Sequence, residues 1–421
     1  MKKCKTIITA SFLGAVIFLA YGCNFMPQNI DDYTDISNFT PRQRHTTSAF
    51  NTVSALRLYD DFSVPENNAR FDRVWREVLE ILDELDSTLS HSSEDSYVAM
   101  FNALTYGESI EISLHMANVI SIAKDMAYTT KGLFDPTIHP LVDLWGFTPR
   151  FNVNRFVPTY NFDRPSGRSE LPDYEYIEAF LQLVDFSGII LEGNESEGFT
   201  LTKKIPPVII NDVTYYAKLD LGSILKGYAT DLIVELLQSE GYKFGFFSCG
   251  GSSMGLLKGM DYIDRDNGIY LFELGLRRPR PGHNYLSSFI TVQVQDMTIS
   301  TSGDYDHAFF VDGIRYHHTF DPRTGWPTNT PVEYGMPQRG IASVSVIGSN
   351  DIPFVGTRTE VLSTVLLIMN LDEAIEFIDT LEDYKVVMVY YVQGYEYFEV
   401  ITNICDSLLN ILDTAYVLAN F

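Results

Sequence analysis

Strand-like runs and helical stretches succeed one another along this chain without the regular βα alternation that a doubly wound parallel sheet needs, which directs it to the α+β class. In "RFDRVWREVLEILDELDSTLS", Phe71, Val74, Val78, Ile81, Leu82 and Leu85 recur at helical spacing with charges on the other face, which predicts an amphipathic helix. A second helix is expected within "ESIEISLHMANVISIAKDMAYTT", ending at Lys131-Gly132. A third begins in "KLDLGSILKGYATDLIVELLQSEGY", where Ile224, Leu225, Tyr228, Ala229, Leu232, Ile233, Leu236 and Leu237 mark one buried face and Gly241 closes the run. Strands are expected at "TVSALRLYDDF", "GIILEG", "GFTLTK" and "PPVIIND" and through much of 244 to 320, and an apolar helix over about 357 to 381. Residues 24 to 46 are polar and aperiodic and read as a tether, while 148 to 173, rich in Pro, Asn, Arg and Tyr, read as a surface loop. No repeat with a 20 to 50 residue period is evident.

The first residues, "MKKCKTIITASFLGAVIFLAYGC", set three lysines before an apolar run of about fourteen residues, the pattern of a secretory signal. That run is shorter than the roughly 20 residues a bilayer-spanning helix takes. Gly22 before Cys23 is similar to a bacterial lipobox, so lipidation of Cys23 is expected, with an uncleaved anchor or ordinary signal cleavage as alternatives. The expected location is the bacterial cell envelope, lipid-anchored and facing the periplasm. Loss of those lysines with the signal would take the formal charge from −25 to −28. Such a surface repels nucleic acid and anionic headgroups, and a phosphate ligand needs a local cation or backbone amides. Beyond the signal Cys23, Cys249 and Cys405 form neither a disulfide framework nor a CxxC pair, so Cys249 and Cys405 read as two buried thiols.

Chemistry concentrates in a few segments. "YHHTFDPRTGWP" holds a catalytic base, a metal ligand or only a tight turn. On a strand His317 and His318 point to opposite faces. An imidazole can accept a proton at neutral pH, or it can simply satisfy a backbone carbonyl beside the turn. "DPRTG" is that turn: proline fixes φ after Asp321, Gly325 tolerates positive φ, and the side chains of Asp321 and Thr324 read as structural. In "LDLGSILKGYATD", Asp220 and Gly222 precede a helix whose free N–H groups suit an anionic ligand, with a capping Asp220 and a solvated Lys226 as the plainer alternative.

Five segments in order, "KGLFDPTIHPLVDLWGF", "LDLGSILKGYATD", "FFSCGGSSMG", "STSGDYDHAFFVDGIRYHHTFDPRTGWP" and "TRTEVLSTVLLIM", resemble the ApbE family of FAD:protein FMN transferases over roughly residues 45 to 395. The resemblance implies a T-fold-related α+β domain of mixed sheets and packed helices over 46 to 395. A signal at 1 to 22, a linker at 23 to 45 and a C-terminal extension at 396 to 421 complete the division. The activity it implies is transfer of FMN from FAD to a threonine or serine hydroxyl of a membrane or periplasmic acceptor, with magnesium and release of AMP. It further implies His318 as base, and FAD contacts from Leu133, Phe134, Asp135, Asp220, Lys226, Gly250 and Gly251. The implied magnesium ligands are the Ser223 carbonyl, Glu360 in place of the usual aspartate, and Thr364.

Departures from the family pattern lie on the ligand side. Ser248 and Ser252 replace an asparagine and an aspartate, Ser92 replaces a stacking tyrosine, and Phe50-Asn51-Thr52 replaces Met-Gly-Thr, whereas Ser90, Asp95, Ser96 and Asn102 keep the family spacing. A flavin-binding lipoprotein without transfer, an FAD pyrophosphatase yielding FMN and AMP, and a surface interaction protein therefore stay open. The helical pattern of the tail, "QGYEYFEVITNICDSLLNILDTAYVLANF", predicts packing on the domain.

Overall fold

A computed structural model describes residues 35–91, 93–147, 171–280, 288–305, 307–331 and 338–419. The signal, Cys23, Ser92 and most of the 148 to 173 loop lie outside these residues. Nine strands form the central sheet and stand in it in chain order: Thr40–Thr46, Ser54–Asp60, Gly245–Cys249, Ser253–Leu256, Met297–Gly303, Arg339–Ser349, Tyr384–Val392, Phe398–Thr402 and Tyr416–Leu418. Every neighbouring pair is antiparallel except the last. Antiparallel neighbours need no crossover, so long insertions can enter between them without disturbing the ladder. The helices and the remaining sheets enter this way.

Alternation along the strands splits the core in two. Val344, Val346, Val386 and Met388 face the helices, whereas Ala342, Ile347, Val387 and Val389 face a second sheet of Tyr262–Asp264, Ile269–Arg277, Ser288–Val294 and Leu409–Ile411. On the helical side, Leu225–Ser239 and Val355–Ile368 lie on the sheet and Pro65–Leu89 packs against the first of them. Helix Val355–Ile368 is apolar nearly all round because it is buried nearly all round. It enters with Phe354 in the left-handed region, and Asp231 from the neighbouring helix caps it, accepting from Gly356 N at 2.6 Å and Thr357 N at 2.8 Å.

Three expectations about elements change. The single helix over 357 to 381 is two, Val355–Ile368 and Leu371–Ile378, because Asn370 and Glu373 form a capping box that starts a new helix. The segment read as a tether ends in strand Thr40–Thr46, an exposed edge whose polar sequence hides it. The tail forms strands rather than a helix: Tyr416 stacks between Phe398 and Phe289 at 4.8 and 4.4 Å, and the tail extends both sheets. Of the two thiols only Cys249 is buried; Cys405 is exposed at a strand end, before the short helical turn Asp406–Leu408.

Candidate active site

Where the sheet insertions converge, a cleft of about 740 Å³ opens beside the N-terminus of helix Leu225–Ser239. His318, Leu133, Phe134, Asp135, Asp220, Ser223, Lys226, Gly250, Gly251, Glu360 and Thr364 all line it. Residues scattered over more than two hundred sequence positions thus share one wall-to-wall space. His91, Arg277, Ser302 and His307 line it too and were not singled out from sequence.

The helix start is held from outside. Asn102 clamps the loop before it, donating to Leu219 O at 2.9 Å and accepting from Leu219 N at 2.6 Å. Asp220 accepts from Gly222 N at 2.7 Å, the turn expected of a residue at a helix entry. Burial works against its charge, yet His139, His91 and the Gly222 N–H outweigh burial and hold its carboxyl below the usual carboxylate range.

Lys226 is not a solvated residue. Its Nζ lies 2.7 Å from Glu360 Oε1 and donates to Gly222 O at 2.9 Å, while Gly227 N donates to Glu360 Oε2. Burial alone would lower the Lys226 pKa, but the Glu360 charge raises it, so the ammonium persists. Thr364 stands one helical turn beyond Glu360, donating to its carbonyl at 3.1 Å and lying 3.2 Å from Ser302 Oγ.

The two histidines separate at the end of strand Ile314–His317: His317 is its last residue, and His318, expected on the strand's opposite face, lies in the bend that follows. His317 is fully buried with Nε2 at 3.0 Å from both Thr328 O and Thr328 Oγ1, which makes it the ring that satisfies a carbonyl. His318 opens into the cleft, 5.2 Å from the His307 ring, and its ring has no hydrogen-bond partner among the described residues. Surrounding protein, with His307 and His317 nearby, lowers the His318 pKa, so the ring is neutral at pH 7. Behind it the turn is built as its sequence predicts: Gly325 sits at φ 72°, Thr324 N and Gly325 N donate to Asp321 O at 3.1 and 2.8 Å, and Trp145 Nε1 donates to Gly325 O at 3.0 Å.

Burial pushes His317 down to about 4 from its ordinary 6.5. Below pH 6.5 the unfolded chain therefore binds a proton that the folded chain refuses. The stability this ring contributes is complete above pH 6.5 and is lost as pH falls toward 4, by about 1.4 kcal/mol per pH unit. Thermal melts across this window should steepen accordingly, and His317→Asn should flatten that part of the profile.

Leu133 and Phe134 face the cleft as apolar wall, Phe134 almost wholly buried. Asp135 also lines it, but its oxygens are taken inward by Thr137 N at 2.8 Å, the Thr137 hydroxyl and Phe186 N at 3.0 Å. Its carboxylate is thereby an anchor for the loop. Gly250 and Gly251 both occupy the left-handed region at φ 66° and 65°, and a Cβ on Gly250 would stand 2.8 Å from Thr52 Oγ1. In the departing segment, Phe50 and Asn51 are also left-handed, at φ 54° and 51°. Asparagine tolerates that conformation, so Asn51 can take the turn without glycine. Phe50 and Ser252 line the cleft, and Cys249 beneath it is pushed up to about 11 by burial, an inert thiol.

The α+β scaffold thus gathers a helix N-terminus, a paired lysine and glutamate and an open imidazole around one cleft. The chain belongs to the ApbE family, whose model matches residues 50–388. It is similar to the FAD:protein FMN transferase of Vibrio cholerae, 30% identical over 256 residues that make up 61% of this chain and 65% of that one, just under two thirds of that relative's length. The Treponema pallidum protein of the same description is 27% identical over 283 residues, 67% of this chain and 70% of that one. The fold is shared with the ApbE protein of Thermotoga maritima, with a TM-score of 0.62 at 22% identity over 84% of this chain and 97% of that one.

Proposed function

We propose that this protein transfers FMN from FAD to a threonine or serine hydroxyl of an acceptor protein and releases AMP. The observation that carries the reading is that His318, open and without a ring hydrogen bond to any described residue, lines the same cleft as the Asp220–Lys226 helix start. His318 takes the hydroxyl proton as the oxygen attacks the FMN phosphorus; the new phosphoester forms, the bond to the bridging oxygen breaks, and AMP leaves. Lys226 at the helix start holds the diphosphate against the negative field of the chain, since the N–H groups of Gly222, Ile224, Leu225 and Gly227 are already taken within the protein. Phe134 and Phe50 offer aromatic surface to the flavin.

The Ser223 carbonyl, Glu360 carboxylate and Thr364 hydroxyl are an all-oxygen donor set of the kind magnesium takes, and Glu360 would have to turn from Lys226 and Gly227 N to hold it. Bound there, magnesium would supply positive charge to the diphosphate. Glu360→Gln removes the formal charge from that set and from Lys226. The magnesium concentration needed for half-maximal transfer should rise about tenfold or more, and direct manganese binding should weaken in parallel.

Cys23 carries the lipid in this reading and fixes the protein to the envelope membrane, where its acceptor also resides. No helix among the described residues is long and apolar enough to cross a membrane. Cys23→Ser should move the protein from the membrane fraction to the soluble fraction with its transferase activity intact.

The decisive assay incubates the purified protein with FAD, magnesium and a flavin-accepting protein, following the acceptor by mass spectrometry and the nucleotides by chromatography. An FMN-sized mass gain with AMP release supports transfer. Free FMN with AMP and no modified acceptor means an FAD pyrophosphatase, and neither product means a flavin-binding protein.

A further inference from the structure

His139 and Asp143 lie four residues apart on the short helix His139–Leu144, and both are buried. Neither takes part in the chemistry above. The loop that leads into this helix runs beside the one that carries Asp220: Asp220 N donates to Pro136 O at 2.8 Å, and Ile138 bridges Lys218 in parallel. His139 therefore sits between two carboxylates, with Nδ1 at 3.5 Å from Asp220 Oδ2 and Nε2 at 3.5 Å from Asp143 Oδ2. Lys218 Nζ holds the same Asp143 oxygen at 3.0 Å. The His91 ring packs edge-on at 5.7 Å, with its Nδ1 at 4.0 Å from Asp220 Oδ1.

Each nitrogen of the His139 ring thus faces a carboxylate oxygen, which can only accept, and Lys218 holds the outer carboxylate of the row, Asp143. The distances lie just beyond hydrogen-bond range, and His139 Nδ1 has no hydrogen-bond partner among the described residues. A small shift of Asp220 toward the ring completes the bond. With Oδ1 already taken by Gly222 N, the Asp220 carboxylate is then fixed at both oxygens by donors from two separate segments.

The geometry points to His139 as a positioning residue, backed by Asp143 and Lys218, that orients the Asp220 carboxylate toward the adenosine diphosphate end or the flavin of bound FAD. This rests on the reading of the cleft as the FAD site. Truncating the row removes the orientation of Asp220, so its effect must pass through Asp220. A purely structural ion pair would instead lower stability without any energetic dependence on Asp220.

The test is a double-mutant cycle on FAD affinity, measured by flavin fluorescence with the full-length protein and no acceptor, using His139→Asn, Asp220→Asn and the double variant. Each single change should weaken FAD binding about tenfold, and the double variant should bind no more weakly than Asp220→Asn alone. Independent, multiplicative losses overturn the inference, as does a folded His139→Asn variant that binds FAD like the parent. An Asp220→Asn variant with unchanged affinity instead overturns the placing of FAD against Asp220, and with it the reading of the cleft. Should His139→Asn not fold, Asp143→Asn runs the same cycle with an expected loss of about threefold, and additive behaviour there overturns the inference equally.

Discussion

His318→Ala should slow FMN transfer about 10²- to 10⁴-fold, the range that removal of a general base costs. FAD binding should stay within about twofold, because the ring lies in the cleft without a hydrogen bond to any described residue and its loss leaves no buried group unpaired. His318 is held below its ordinary pKa and is neutral at pH 7, ready to take a proton without first losing one. The acid limb of the wild-type rate profile should therefore lie below pH 6.5, where an ordinary imidazole would already be half charged. His317→Ala gives the contrast. Its ring is buried against Thr328 and does not line the cleft, so that change should cost stability first. Equal slowing in both variants, with no loss of stability in His317→Ala, would remove the base from His318.

Gly227→Ala should be strongly destabilising, although it adds a single methyl group. A Cβ there would stand 2.2 Å from Gly356 O and 2.8 Å from Thr357 N. These are backbone atoms of helix Val355–Ile368 and cannot swing aside, so the two helices must part. Overpacking of this kind costs about 1–3 kcal/mol, and a backbone-to-backbone clash belongs at or above the top of that range. The loss should appear in a denaturant or thermal melt. Activity should fall as well, because Gly227 N holds Glu360, and Glu360 holds Lys226. Gly222→Ala is the control: its nearest contact would be 3.0 Å from the Asp220 side chain, and its φ lies outside the left-handed region. An unchanged melt for Gly227→Ala would mean that the helices do not cross at these glycines.

Local rules carried much of the site. The "DPRTG" turn follows from proline and glycine backbone preferences and the helix after Asp220 from its apolar spacing, whereas His318 parts from His317 because the strand ends between them. The family pattern named the residues that share the cleft because it compresses tertiary proximity into sequence order. Local rules failed where an element takes its character from its neighbours. Strand Thr40–Thr46 is polar because it is an exposed edge, and the tail residues pair with strands already in place. Asp135 and Lys226 show the same limit at the level of single side chains. A cofactor-facing carboxylate turns inward to Thr137 and Phe186, and a plausibly solvated lysine meets a carboxylate across 134 positions of chain.

By itself the sequence determined the α+β class, the main helices and the turn behind His318, since each depends on residues within a few positions of one another. Only the tertiary structure decided that Gly227 meets Gly356, that Glu360 thereby reaches Lys226, and that His139 stands between Asp143 and Asp220. Those partners come from separate insertions into one sheet. No local periodicity encodes how close two insertions lie; it is fixed by the packing of backbones where neither helix carries a side chain.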